Sequence, residues 1–383
     1  MNFALTDEQR MYRSAVRSFV ENEIRPYAAE IDEKQELRWE AIARMPDLGL
    51  TGLQVPEEYG GAGLDAVSAA IALEELARGD GSTALAVAAH NGLCCYPITR
   101  WGTAEQKQRY LPELTSGRVL GSLALTEPDA GSDLVGGVRT SAVRDGDAWV
   151  LNGEKTWITN APTAPVVVVL ARTAPGAEKP SHGLSMILVE KGTPGFRVEP
   201  PISKLGVRGS HSSPLSFQDA RVPIGNLLGA EGRGLHQTLE TLDGGRIGIA
   251  AVSVGLAQAA LEAAVSYVRE RRAFGARLAD LAGVQMRIAD MATEVEAARL
   301  LTYYAAWLKD QGKSITQAAG MAKLKASEVA ELVAYYAIQL HGGYGYSTEY
   351  PVERIYRDQR LMSIGEGAND VLRSVIARRV LAD

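Results

Sequence analysis

Cysteine is almost missing from this chain. The only two, Cys94 and Cys95, are neighbours, a spacing that disfavours a stabilising disulfide, and they read as small buried side chains. Histidine is sparse as well. His90, His182, His211, His236 and His341 show no HxxxH spacing and join no CxxC pair, so no metal site is expected. Positive charge does not dominate: 40 Lys and Arg against 46 Asp and Glu leave a net charge of -6, which offers no overall field for nucleic acid or an anionic membrane. No apolar run reaches the roughly 18 residues of a membrane span. The opening Met1-Asn2-Phe3-Ala4-Leu5-Thr6-Asp7-Glu8 lacks a basic stretch followed by an apolar core. Membrane insertion is therefore not expected, and the expected location is cytoplasmic. Low-complexity linkers and solenoid-length repeats are missing too.

What is present has three textures. With 383 residues the chain exceeds a single hydrophobic core. From Asp7 to about Gly121 it is helical: Thr6 is a candidate cap, and Tyr12, Val16, Phe19 and Val20 share one face. From Ser122 to Pro223 come β-rich runs broken by Gly, Pro and Asp, among them 148–152, 166–172, 184–190 and 215–222. After Gly234 long Ala/Leu/Val segments at 247–272, 284–309, 315–340 and 370–381 predict four antiparallel helices. The expected fold is a multidomain α+β protein: an N-terminal helical domain (1–121), a central antiparallel β domain (122–230) and a C-terminal four-helix bundle (231–383).

Four constellations could carry chemistry. In Leu123-Ala124-Leu125-Thr126-Glu127-Pro128-Asp129-Ala130-Gly131-Ser132-Asp133 a strand opens into a turn whose backbone N–H groups suit a phosphate or a ring edge; alone, it also reads as an ordinary turn. Gly153 to Asn160 reads as a strand with Thr156, Ile158 and Asn160 on one face and Trp157 and Thr159 on the other, fit either to flank a planar cofactor or to fill a core. Gln339-Leu340-His341-Gly342-Gly343-Tyr344-Gly345-Tyr346 ends a helix. Its glycines do not join a strand to a helix, so a dinucleotide fingerprint is excluded. The fourth is Gly365-Glu366-Gly367-Ala368-Asn369-Asp370. A lone Glu between glycines is usually solvated, but walled in by apolar groups it would become a base working near neutral pH.

In this order and spacing, together with Tyr-x-x-x-Arg-x-x-Phe-Gly at Tyr267–Gly275, these motifs resemble the acyl-CoA dehydrogenase family over essentially the whole chain. The resemblance implies α,β-dehydrogenation of an acyl-CoA with FAD as cofactor, an electron-transferring flavoprotein as acceptor and a homo-oligomer, a tetramer, in which one subunit reaches the FAD of another. By that likeness Leu125, Thr126, Gly131, Ser132, Trp157, Ile158 and Thr159 contact FAD. So do Arg271 and Phe274, expected at i and i+3 on one helix face, with Gln339, Gly342, Gly343, Ala368 and Asp370. Glu366 matches the catalytic base, and Ser132, Asp243, Arg246 and Gly367 match substrate contacts. Some relatives place the base just before the arginine matched by Arg246; here that position is Gly245.

Several positions depart from the family pattern. Ala282 stands where Gln is frequent, with Gln285 following, and Ala368 removes a hydroxyl. Gly365 replaces an aromatic beside the base. Ser314 replaces a carrier-phosphate arginine, with Lys313 beside it, which keeps an acyl-carrier-protein thioester open as substrate. An oxidase on the same scaffold also stays open, while Glu366 argues against a monooxygenase and the intact motif set against a non-catalytic scaffold. Acyl length is not fixed by the sequence.

Overall fold

The first helix begins where its cap says it should. In a computed structural model, which describes residues 4–382, the Gln9 N–H donates to Thr6 Oγ1 at 3.2 Å and the Thr6 N–H to Gln9 Oε1 at 3.1 Å, a capping box. Met1, Asn2 and Phe3 of the opening stretch lie outside the described residues. Helix α1 (Asp7–Glu23) buries Val16 and Val20. It is followed by α2 (Ala28–Lys34), α3 (Trp39–Ile42), α4 (Ala66–Gly79), α5 (Gly81–Ala89), α6 (Tyr96–Trp101) and α7 (Ala104–Thr115). Between α5 and α6 a π-helical turn, His90–Cys95, inserts extra residues into an otherwise continuous helix. Such turns re-aim side chains and often sit at functional sites. Both cysteines lie in it as buried free thiols.

The central sheet comprises β1 (Ser122–Ala124), β2 (Ser141–Asp145), β3 (Ala148–Thr159), β4 (Val166–Arg172), β5 (Leu184–Glu190), β6 (Phe196–Val198), β7 (Ser212–Pro223) and β8 (Leu227–Leu228), with the four-residue helix α8 (Leu134–Gly137) after β1. Its order is β6-β7-β3-β2-β4-β5-β8, with β1 added beside β4. The expected all-antiparallel sheet is corrected in two places, since β1 and β2 both pair parallel with β4. Strand β4 is a continuous apolar run because both its faces are covered. Val166, Val168 and Leu170 meet the core shared with α6 and α7, and Val167, Val169 and Ala171 meet β3 and β7.

The last third holds α9 (Gly234–Glu270), the two-stranded hairpin β9 (Arg272–Ala273) and β10 (Ala276–Arg277), α10 (Ala282–Asp310), α11 (Thr316–His341), α12 (Val352–Gln359) and α13 (Asn369–Val380). Helix α9 starts 13 residues before the expected Ile247, because Gly244 and Gly245 weaken helical propensity without breaking a helix that packing holds. By length and mean composition it is apolar enough to cross a membrane, although Gln258 and Glu262 keep it from being an uninterrupted apolar run of that length. That apolarity serves the interior: 78% of its most apolar window is buried, among residues of α4, α10 and α11. The bundle is thus completed by the N-terminal helix α4.

Candidate active site

Arg246 and Lys323 organise the loop that carries Glu366. Arg246, buried on α9, donates through Nη1 to Asp243 Oδ1 at 2.6 Å, and Asp243 Oδ2 accepts from Thr316 Oγ1 at 2.6 Å. This fixes the guanidinium so that its Nε lies 3.4 Å from the Glu366 carbonyl oxygen. Lys323 on α11 is fully buried and donates to the Gly367 carbonyl at 2.8 Å and to Asn369 Oδ1 at 3.1 Å. Both cations therefore hold carbonyls of the loop, Lys323 also the Asn369 side chain, and neither donates to the carboxylate. Glu366 itself sits at φ 53°, left-handed backbone that costs a non-glycine residue energy and persists where the surroundings over-determine it.

The Glu366 carboxylate points at α9. Its Oε2 is buried with no hydrogen-bond partner among the described residues, and a Cβ on Gly245 would fall 1.9 Å from it. Glycine at 245 is what gives the carboxylate its place. Desolvation pushes its pKa up to about 7, against the pull of Lys323 and Arg246, which suits a proton acceptor near neutral pH. Gly245 also lines a cavity of about 50 Å³ between α4, α5, the π turn and α9. Ala66, Ala69, Ala70, Leu73 and Ile247 form much of its wall, and Gln54, Asn91, Tyr96 and Lys309 its polar part.

A second cluster joins the Thr126 turn to β3. The Lys155 ammonium, fully buried, donates to the Leu125 carbonyl at 2.9 Å and to Glu127 Oε1 at 2.8 Å. Glu127 also accepts the Arg139 and Thr140 N–H groups at 2.7 and 2.9 Å, and the Thr156 N–H donates to the Thr126 carbonyl at 2.9 Å. Simple strand alternation fails here. The register against β7 slips between Lys155 and Ile158, a bulge that places both residues on the buried side. It leaves Trp157 56% exposed at φ 62°. The exposed indole, with Thr126 and Thr159 nearby on the same turn and strand, fits the face and edge of a flat heteroaromatic group. Ser132 and Gly131 lie exposed further along that turn.

A third cluster lies on the surface. Arg271 and Phe274 do not share a helix face as expected, because α9 ends at Glu270. Phe274 and Gly275, both at positive φ, form the two-residue turn of the β9–β10 hairpin, the geometry of a type I′ turn. Phe274 is 94% exposed, while the Arg271 guanidinium lies 5.6 Å from the centre of the Tyr344 ring, bringing the hairpin beside Gly342 and Gly343. Gln339 donates to the Tyr335 hydroxyl at 2.9 Å. Asp370 is exposed and Ala368 half-buried at the start of α13. Among the described residues no hydrogen bond links this cluster to the other two.

The reading of the sequence missed Glu127 with Lys155, Lys323 and Lys309. The first two stood inside quoted motifs, but their burial was not visible; Lys323 and Lys309 sit in helical segments with nothing local to mark them.

Comparison with known proteins follows the same three parts. Family models describing the acyl-CoA dehydrogenase N-terminal, middle and C-terminal domains match residues 6–118, 122–220 and 232–381. A probable acyl-CoA dehydrogenase of Bacillus subtilis is 48% identical, with all of both chains covered. The mitochondrial short-chain specific acyl-CoA dehydrogenase of Rattus norvegicus is 45% identical over 98% of this chain and 91% of its own. Among solved structures, butyryl-CoA dehydrogenase from Megasphaera elsdenii superposes with a TM-score of 0.96 at 41% identity, covering both chains completely.

Proposed function

The chain belongs to the acyl-CoA dehydrogenase family of flavin enzymes, and from that premise we propose that it removes the α-proton and β-hydride of a short acyl-CoA, with Glu366 as the base. The observation that carries this reading is Glu366 Oε2, buried with no hydrogen-bond partner among the described residues, beside Gly245 at the edge of an apolar cavity. Bound FAD would supply the hydride acceptor, held against Trp157 by Thr126, Ser132 and Thr159, with Arg271, Phe274 and Gln339 reaching it from a neighbouring subunit.

The residues of this chain do the rest. Glu366 accepts the α-proton at Oε2, and its raised pKa makes it a stronger base toward a C–H acidified by an adjacent thioester carbonyl while still letting it ionise near neutral pH. The Glu366 backbone N–H has no acceptor among the described residues, which leaves it to polarise that carbonyl as negative charge develops. Arg246 and Lys323 hold the loop so that base and N–H stay aligned. A cavity of about 50 Å³ has room for about three to five water-sized groups, which supports a short acyl chain. Reoxidation by an electron-transferring flavoprotein follows from the family likeness, and so does a homotetramer. Met286, Tyr304, Trp307 and Tyr335 on α10 and α11 leave large exposed apolar faces; light scattering should find an oligomer, and a flavin-loaded monomer would contradict shared sites.

The decisive experiment is anaerobic. Mixing the FAD-loaded protein with butyryl-CoA should bleach the flavin. Glu366→Gln should retain FAD and slow bleaching by at least about 10²–10⁴-fold, the usual share of general-base catalysis. Bleaching by Glu366→Gln within about threefold of the parent rate would remove the base assignment. Running the same panel with acyl-carrier-protein thioesters, and with oxygen as acceptor, separates the carrier and oxidase alternatives.

A further inference from the structure

The cavity beside Glu366 is apolar along most of its wall, yet Lys309 of α10 enters it. Among the described residues lining it, Lys309 alone is charged. Its Nζ donates to Gln54 Oε1, a neutral acceptor, at 2.8 Å and lies 5.0 Å from the centre of the Tyr96 ring. A Cβ built on Gly244 would sit 3.5 Å from Nζ, so the ammonium reaches the α9 wall one residue away from Gly245 and the base.

No carboxylate pairs with this ammonium among the described residues. The two acids near it are engaged elsewhere. Asp310 accepts the Ala66 and Val67 N–H groups at the start of α4, and Glu240 accepts from the Tyr96 hydroxyl and from Arg100. Burial pulls the Lys309 pKa below the ordinary lysine value, and Asp310 and Glu240 pull it back. An ammonium in such a site keeps hydrogens to give, and an all-hydrocarbon chain cannot accept them. A buried donor left unmatched by its ligand is a strong basis for rejecting that ligand.

We infer that Lys309 makes this cavity selective for short acyl thioesters whose far end carries an oxygen acceptor, a carboxylate or a hydroxyl, over their plain alkyl counterparts. The inference rests on the reading of the cavity as the acyl site. Its size agrees: beyond Cβ, a five-carbon acyl group ending in a carboxylate adds about four heavy atoms, within the room estimated from the cavity volume.

The test separates binding from turnover. Calorimetry on the FAD-loaded Glu366→Gln protein, whose flavin absorbance is followed to confirm that slowed oxidation does not intrude, compares pentanoyl-CoA, ω-hydroxypentanoyl-CoA and glutaryl-CoA. At least one oxygenated thioester should bind roughly tenfold or more tightly than pentanoyl-CoA, and adding Lys309→Met should erase the difference. A preference for glutaryl-CoA alone identifies an anionic end group, and equal gains for both identify hydrogen bonding to either. Equal binding of all three, or a loss shared by all three in Lys309→Met, overturns the inference. The first comparison needs no Lys309 variant, so poor folding of that variant leaves it intact. Failure of every thioester to bind or to bleach the parent flavin would bring down the acyl-site reading itself, an outcome distinct from equal binding.

Discussion

Glu127 and Glu366 are both acids near a buried lysine, and they are held in opposite states. Glu127 takes the Lys155 ammonium at 2.8 Å and two backbone N–H groups directly on its carboxylate. Burial alone would raise its pKa, but those donors outweigh it and keep the carboxyl below the usual range. At Glu366 the cations lie close but spend their hydrogens on the Gly367 carbonyl, Asn369 and Asp243, and desolvation wins. What separates the anchored carboxylate from the proposed base is where the neighbouring N–H groups point. Carboxylates satisfied by hydrogen bonds stay charged, and bare ones seek a proton.

Two substitutions should split this comparison. The largest effect belongs to Glu366→Gln, whose loss is catalytic. Its stability should move the other way: the native pKa of Glu366 lies above its unfolded value, so the contribution of the protonated form is lost as pH rises through about 7. At pH 8 or so the neutral amide escapes that loss, and the variant should melt no lower than the parent. Glu127→Gln should do the reverse. It leaves Lys155 buried and uncompensated, at a cost of about 3–5 kcal/mol in unfolding free energy, read from the denaturant midpoint. Glu127 has a depressed pKa, so its contribution is present above the unfolded pKa and lost as pH falls. The penalty of Glu127→Gln should therefore shrink in acid. If Glu127→Gln unfolded like the parent at neutral pH, the anchoring role would be refuted.

The same contrast shows how much was legible in the sequence. The helical, β and helical order, the Thr6 cap and the Gly-flanked Glu366 were readable because each is a local pattern: a periodicity, a cap pair, a motif. Three features were not, and each depends on tertiary packing. The bulge that lifts Trp157 out of alternation is set by pairing with β7. The end of α9 at Glu270 turns Arg271 and Phe274 onto a hairpin that an i, i+3 helical reading could not foresee. The parallel pairing of β1 with β4 joins strands separated by the β2–β3 hairpin. Lys155, Lys309 and Lys323 were illegible for a related reason. Lysine is ordinarily a surface residue, and only the fold reveals which ones are enclosed.

The smallest expected effect is the most discriminating, because it shifts a titration instead of abolishing a function. Lys323 lowers the Glu366 pKa through its charge and holds the Gly367 carbonyl through its hydrogen bond. Lys323→Gln removes the first and preserves an N–H donor for the second. A base must be unprotonated to act, so with Glu366 in the role proposed above the rate of flavin reduction in the parent should climb with pH, with its midpoint near 7. Loss of a nearby cation disfavours the carboxylate and moves that midpoint upward, by about one pH unit for an opposite charge at such range. Arg246, still present, keeps the shift from being larger. The plateau rate at high pH should stay close to the parent's if the loop is still held. A midpoint that stays put while the plateau falls would show that Lys323 acts on loop geometry alone. A midpoint that drops would contradict the charge argument, since no repulsion between Glu366 and another acid is relieved by taking away a lysine.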